Sequence, residues 1–186
     1  MSSNYRSREV AKRVFAQELR EADHMFKEDD DEYAPSYLLL PSGDKANRLF
    51  FVGTLTEKED KDGFYSCRVT DSTGKFYIYS GQYQPKATEV LRKINPPTYV
   101  AITGKPNTYE TDDGNVITSI RPESVSEVTE ETRSQWMKET AHQTLERLNA
   151  PTSTYASRAA EQYDEGSLDT VHQATITALE SIQTEL

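Results

Sequence analysis

The sequence contains one cysteine, Cys67, in 186 residues. A single thiol excludes an intrachain disulfide framework and a cysteine-rich zinc site. No apolar run approaches the roughly 20 residues of a membrane-spanning helix. The opening stretch MSSNYRSREV lacks the apolar core of a secretory signal. The expectation is a soluble, cytoplasmic protein with no membrane partner. Hydrophobic residues make up only 35%, enough for one modest core and not two. A catalytic constellation is also missing. His24, His142 and His172 are isolated, with no second ligand at metal spacing. Gly104-Lys105 lacks both the upstream glycine and the following Ser or Thr of a phosphate-binding loop. Glu110, Asp112 and Asp113 crowd one turn, which a solvated hairpin explains better than a metal site. No enzymatic activity and no cofactor are expected.

Charge of one sign is scarce in places. The chain carries 21 Lys and Arg against 31 Asp and Glu, a net charge of −10. That argues against coating nucleic acid by bulk charge. The imbalance sits in the flanks: residues 47–122 hold ten bases and nine acids, while residues 1–46 net −3 and residues 123–186 net −8. Acidic flanks also serve plain solubility or life in a salty cytoplasm.

What is present is a set of turns between alternating segments. Asn47–Thr56, Phe64–Thr70, Lys75–Tyr79, Thr98–Tyr109 and Asn115–Arg121 read as strands. Asp62-Gly63, Asp71-Ser72-Thr73-Gly74 and Asp112-Asp113-Gly114-Asn115 join them. Asp-Gly favours tight hairpins, because Gly accepts positive φ and Asp bonds its own backbone. Gln84–Ile94 reads as a short helix, ended by Pro96-Pro97. Strand-strand-strand-helix-strand-strand is the order of the OB-fold, a five-stranded Greek-key barrel that holds single-stranded nucleic acid or oligosaccharide. The fold class expected is mainly β with an N-terminal helix and a helical C-terminal extension. Gly53 inside the first barrel strand marks a bulge or sharp bend.

Outside the barrel, Ser7–Ala22 carries an apolar stripe at helical spacing: Val10, Val14, Phe15, Leu19 and Ala22. Glu28–Glu32 is an acidic run that should stay solvated and mobile. Ser36–Pro41 is a short apolar segment, an extra strand leading into the barrel. Thr129–Leu148 is a second helix, with Met137, Ala141, Leu145 and Leu148 in a stripe beside Trp136. That stripe either closes the barrel of its own chain or packs on a partner. Thr152–Gln162 is weakly helical, and Ser167–Leu186 carries a thin stripe that docks on a partner or on this chain. The organisation expected is an N-terminal helix and acidic linker over residues 1–32, the barrel over 33–126, an assembly helix over 127–150 and a helical tail over 151–186.

Period-two alternation assigns faces. Tyr65, Cys67, Val69, Phe76 and Ile78 go inward; Arg68, Lys75, Tyr77 and Tyr79 go outward on adjacent strands. Cys67 is thereby a core residue and no nucleophile. Single-strand binders stack bases on aromatic rings and guide the backbone with Lys and Arg. Tyr77, Tyr79 and Tyr83 with Arg68, Lys75 and Lys86 fit that pattern. Tyr109 and Lys105 join them from the last hairpin. Tyrosines also simply cover half-exposed strands, and the chain has eleven.

The run from Thr98 to Leu148 resembles the end of the OB domain in the middle subunit of replication protein A. Both have a Tyr-Val-x-x-x-Gly strand, an aromatic in the hairpin, a strand ending Ile-x-Pro and a long helix. The blocks REVAKRVFAQE, NRLFFVGTLTE, DSTGKFYIYSGQYQP and IRPESVSEVTEETR are similar to the archaeal replication protein A-associated family, over roughly residues 8–150. The resemblance implies a small subunit of a complex that binds single-stranded DNA in replication and repair, beside a larger multi-OB subunit. Under it Tyr109 takes the place of a stacking aromatic, Tyr79 lies near a second one, and Thr129–Leu148 takes the place of the assembly helix. The last hairpin is acidic where the family contacts DNA, and the tail after Pro151 does not match the eukaryotic winged helix. A structural or regulatory subunit with little DNA binding of its own, or a module for RNA, fits the same fold.

Overall fold

The computed structural model describes residues 9–149 and 154–183. In chain order its elements are β1 (Lys12–Arg13), α1 (Ala16–Glu21), β2 (Met25–Lys27), β3 (Ser36–Leu40), β4 (Asp44–Ala46), β5 (Leu49–Lys61), β6 (Phe64–Thr70), β7 (Lys75–Ser80), α2 (Pro85–Lys93), β8 (Thr98–Glu110), β9 (Val116–Glu127), α3 (Glu130–Asn149), α4 (Tyr155–Gln162) and α5 (Glu165–Gln183).

The five expected strands, β5 to β9, close into a barrel. β5 pairs antiparallel with β6 through its second half and with β8 through its first. β6 pairs with β7, β8 with β9, and a parallel contact of Ile78 with Ile120 joins β7 to β9. The Asp62-Gly63 turn has φ of +53° and +85°, the double positive φ of the tightest hairpins. The alternating residues expected inside are inside. Tyr65, Cys67, Val69, Phe76 and Ile78 are buried with Phe51, Leu55, Val100, Ile102 and Ile120. Phe51 and Phe76 stack at 3.8 Å between centroids. Burial pushes the Cys67 thiol up to about 11, against a smaller lowering by Lys58, so it is inert at neutral pH. α2 places Ala87 and Leu91 in the same core. Lys58 Nζ donates to the Leu91 and Ile94 carbonyls at 2.9 and 2.6 Å, a cation at a helix C-terminus.

Several sequence expectations are corrected. The N-terminal helix begins at Ala16. Val10 is 84% exposed, and Lys12–Arg13 runs parallel to β5 as β1, because backbone pairing on the barrel edge outweighs a short apolar stripe. Ser36–Leu40 does not join the barrel. It is the middle strand of a separate sheet, β2-β3-β4. The acidic run closes the β2–β3 hairpin of that sheet, so it is a loop of a folded unit and no linker; Glu28 pairs with Lys45 at 2.6 Å. The ladder irregularity in β5 falls between Leu55 and Glu57, not at Gly53. Gly53 is needed for close approach: a Cβ there would lie 2.8 Å from the Thr70 carbonyl oxygen. β9 also continues through Pro122, which the sequence suggested would end it. The register shifts at Thr103/Gly104, opposite Pro122, and such an irregularity tolerates a residue without an N–H.

Gly104 has the least room of the barrel's glycines. A Cβ would sit 2.6 Å from the Arg121 oxygen and 2.7 Å from Ile120 Cγ2. Gly104→Ala is expected to lower stability by about 1–3 kcal/mol through this overpacking. A urea denaturation midpoint equal to that of the wild type would contradict it.

The C-terminal helices pack on their own chain. α5 lies on α3 and α1, where Phe15, Met137, Ala141 and Ala178 form a second cluster. α4 and Tyr163 cover the small sheet. The Tyr163 hydroxyl donates to the Leu39 carbonyl at 2.6 Å and accepts from the His24 N–H at 3.3 Å. Among the described residues no helix is long and apolar enough to cross a membrane. Ser7, Ala150, Pro151, Thr152 and Leu186, which figured in the helix expectations, lie outside the described residues.

Candidate nucleic-acid interface

The outward face of β7 meets the β8–β9 hairpin where Tyr79 adjoins Tyr109. Lys75, Tyr77 and Tyr79 follow each other at two-residue spacing along β7. Opposite them in register stand Thr70, Arg68 and Ser66. Arg68 lies 5.7 Å from the Tyr77 ring centroid and pairs loosely with Glu57 at 3.5 Å. Tyr79 meets Tyr109: burial, a hydrogen bond with Tyr109 and the neighbouring Tyr77 raise its hydroxyl above the usual tyrosine range, and Arg68 opposes this. On its other side Tyr79 stacks with Phe64, centroids 6.3 Å apart and planes at 16°. Phe64 and Tyr109 are 47% and 40% exposed, so their rings stay open to a ligand.

The structure therefore gathers Arg68, Tyr77, Tyr79 and Tyr109 into one patch and adds Phe64, which the alternation of β6 puts on the same face as Arg68 but which the sequence reading did not single out. Its position, first in a strand right after a tight turn, was the available signal. Lys75 lies on the same face at the far end of β7. Tyr83, Lys86 and Lys105 lie apart, in an adjoining groove of about 1340 Å3 that Arg121 also lines. Arg121 stands directly opposite Lys105 in the β8–β9 register; counting back from the Asp113-Gly114 turn would have found it.

The helix residues are placed differently. Met137 and Ala141 are buried against Phe15 and Ala178 of the same chain. Trp136 is half-buried, with the Arg13 guanidinium 3.3 Å above its ring and the Phe50 ring at 3.9 Å. Leu145 and Leu148 are half-buried. Among the described residues no group of three His, Cys, Asp or Glu side chains is placed to hold a metal ion, and that includes the acidic hairpin of Glu110, Asp112 and Asp113.

No protein-family model matches the sequence, and no curated protein matches it either. Solved structures do match. A chain of a replication protein A heterotrimer bound to ssDNA aligns at a TM-score of 0.54 and 15% identity, over 75% of this chain and 98% of that one. The chain has the OB-fold. A chain of the S. pombe Stn1-Ten1 complex aligns at a TM-score of 0.61 and 11% identity, over 83% of this chain and 100% of that one. Both alignments extend beyond the length of the barrel alone.

Proposed function

We propose that this chain is a subunit of a replication protein A-like complex and binds single-stranded DNA in replication and repair, without catalysing a reaction. The observation that carries this reading is the patch of Phe64, Tyr79 and Tyr109 with Tyr77 and Arg68 beside it. Flat, half-exposed rings next to a cation suit unpaired bases, whose faces are hidden in a duplex. The OB-fold neighbours support it: one is described as bound to ssDNA, and both come from multi-subunit assemblies. A larger OB-fold subunit is the proposed partner. α3 is its proposed seat, through the end carrying Leu145 and Leu148, because α5 already covers Met137 and Ala141.

Fluorescence anisotropy of the purified full chain tests the reading. A labelled single strand should bind more tightly than the duplex of the same sequence, and binding should weaken with salt. Equal affinity for both forms, or none for either, would remove the proposal. The acidic hairpin of Glu110, Asp112 and Asp113 favours a second reading, a structural subunit that holds its larger partner and hardly touches DNA. That reading expects co-elution with the partner and no single-strand affinity from this chain.

A further inference from the structure

The groove beside the aromatic patch is charged in an uneven way. Lys86, Lys105 and Arg121 line it, all exposed. None of the three has an ion-pair partner among the described residues. The acids of the same groove are mostly engaged. Glu28 pairs with Lys45 at 2.6 Å, Glu123 with Arg48 at 3.0 Å, and Glu9 accepts a hydrogen bond from Tyr37. Asp29 is the remaining acid. Tyr83, at the same wall, is 85% exposed.

Chain continuity links the groove to the patch along two lines. Lys105, Asn107 and Tyr109 alternate on the outward side of β8, so Lys105 and Tyr109 are about 13 Å apart. Tyr83 follows Gly81 by two residues, and a Cβ on Gly81 would lie 2.9 Å from the Phe64 ring. A polyanion leaving Tyr109 or Phe64 would meet unneutralised cations at once.

We infer that the groove carries the continuation of the nucleic-acid strand held by the patch, with backbone phosphates against Lys86, Lys105 and Arg121 and a base on Tyr83. The inference rests on the proposed single-strand binding and extends its footprint. It commits to a strand and not to a protein ligand, because the unpaired groups, Asp29 apart, are three cations and a bare aromatic ring, the pair that unpaired nucleic acid uses.

The test compares two oligothymidylates on the full chain, one of about 6 and one of about 16 nucleotides, within the range of OB-fold site sizes. In Lys86→Ser/Arg121→Ser both changes are on the surface. The long oligomer should lose at least about tenfold in affinity at low salt, and its log–log salt slope should become shallower by about 1.4, or 0.7 per lost phosphate contact. The short oligomer should bind as before. Tyr83→Ala should likewise weaken only the long one. Equal losses for both lengths, or none for either, would overturn the groove path, and the second of these leaves patch binding intact. If the wild type binds neither oligomer, the single-strand reading fails and the groove path with it. If the Tyr79/Tyr109 alanine variant still binds the short oligomer as the wild type does, the patch reading fails, and with it the groove as a continuation of the patch.

Discussion

Arg147→Ala should lower the stability of the fold by about 3–5 kcal/mol, a large share of what a domain this size possesses. Arg147 sits near the end of α3 and reaches inward. Its Nη2 donates to Glu18 Oε1 at 2.9 Å and to the Arg13 carbonyl at 3.2 Å, and its Nε donates to Ser42 Oγ at 2.8 Å. Glu18, on α1, is 1% exposed and also accepts from the Ser42 N–H at 2.9 Å. One guanidinium thus ties α1, the β3–β4 turn and α3 together. Truncating it leaves a carboxylate buried without a countercharge, which costs more than the lost bonds. Adding Glu18→Gln to the Arg147→Ala chain should return part of the loss, since the orphaned charge is gone. Arg147→Lys should rescue poorly, because a single ammonium cannot span the three acceptors. Urea denaturation followed by circular dichroism measures all four chains. A midpoint for Arg147→Ala within error of the wild type would show that the pair does not hold these elements.

Tyr79→Ala with Tyr109→Ala should weaken single-strand binding at least about fivefold. A base stacked on a ring contributes about 1–3 kcal/mol, and the loss of one stacked base, about 1 kcal/mol, sets the floor for the pair. The two hydroxyls meet and the Phe64 ring backs Tyr79, so the two positions act as one surface and their effects should not add simply. Tyr79→Phe is the informative companion. It keeps the ring, loses the hydrogen bond to Tyr109, and should cost much less. Anisotropy titrations of the full-length variants provide the numbers, and circular dichroism confirms the fold. Unchanged affinity in the double variant would remove the stacking role.

The barrel was legible because its information is local. Asp62-Gly63 declares a turn by two residues, and Phe64–Thr70 declares a strand and its buried face by seven. The small sheet was not legible. β2 and β4 have three residues each, too few for alternation to register, and β3 is buried along most of its length, so it shows no alternation at all. β1 exists only because the edge of β5 lies within reach of Lys12 and Arg13. The Glu18–Arg147 pair joins residues 129 apart in sequence, and no local pattern announces such a partner. Within the candidate site, outward faces could be read strand by strand. Which residues share a patch could not, since Tyr79 and Tyr109 are brought together by closure of the barrel. For the same reason Lys105 and Tyr83 were grouped with the patch, though both line the groove instead.

The bond between Tyr163 and Leu39 spans 124 residues, and the one between Tyr163 and His24 spans 139. The barrel needs nothing beyond Glu127 to close. A chain emerging from the ribosome can therefore complete its ring of strands while the outer side of β3 is still bare. Only when the final helices have been made can Tyr163 cover it. Contacts of such long separation form late and slowly. Between those two moments the newborn protein has a finished barrel and an uncovered apolar strand, and that interval is when a chaperone would be most useful to it.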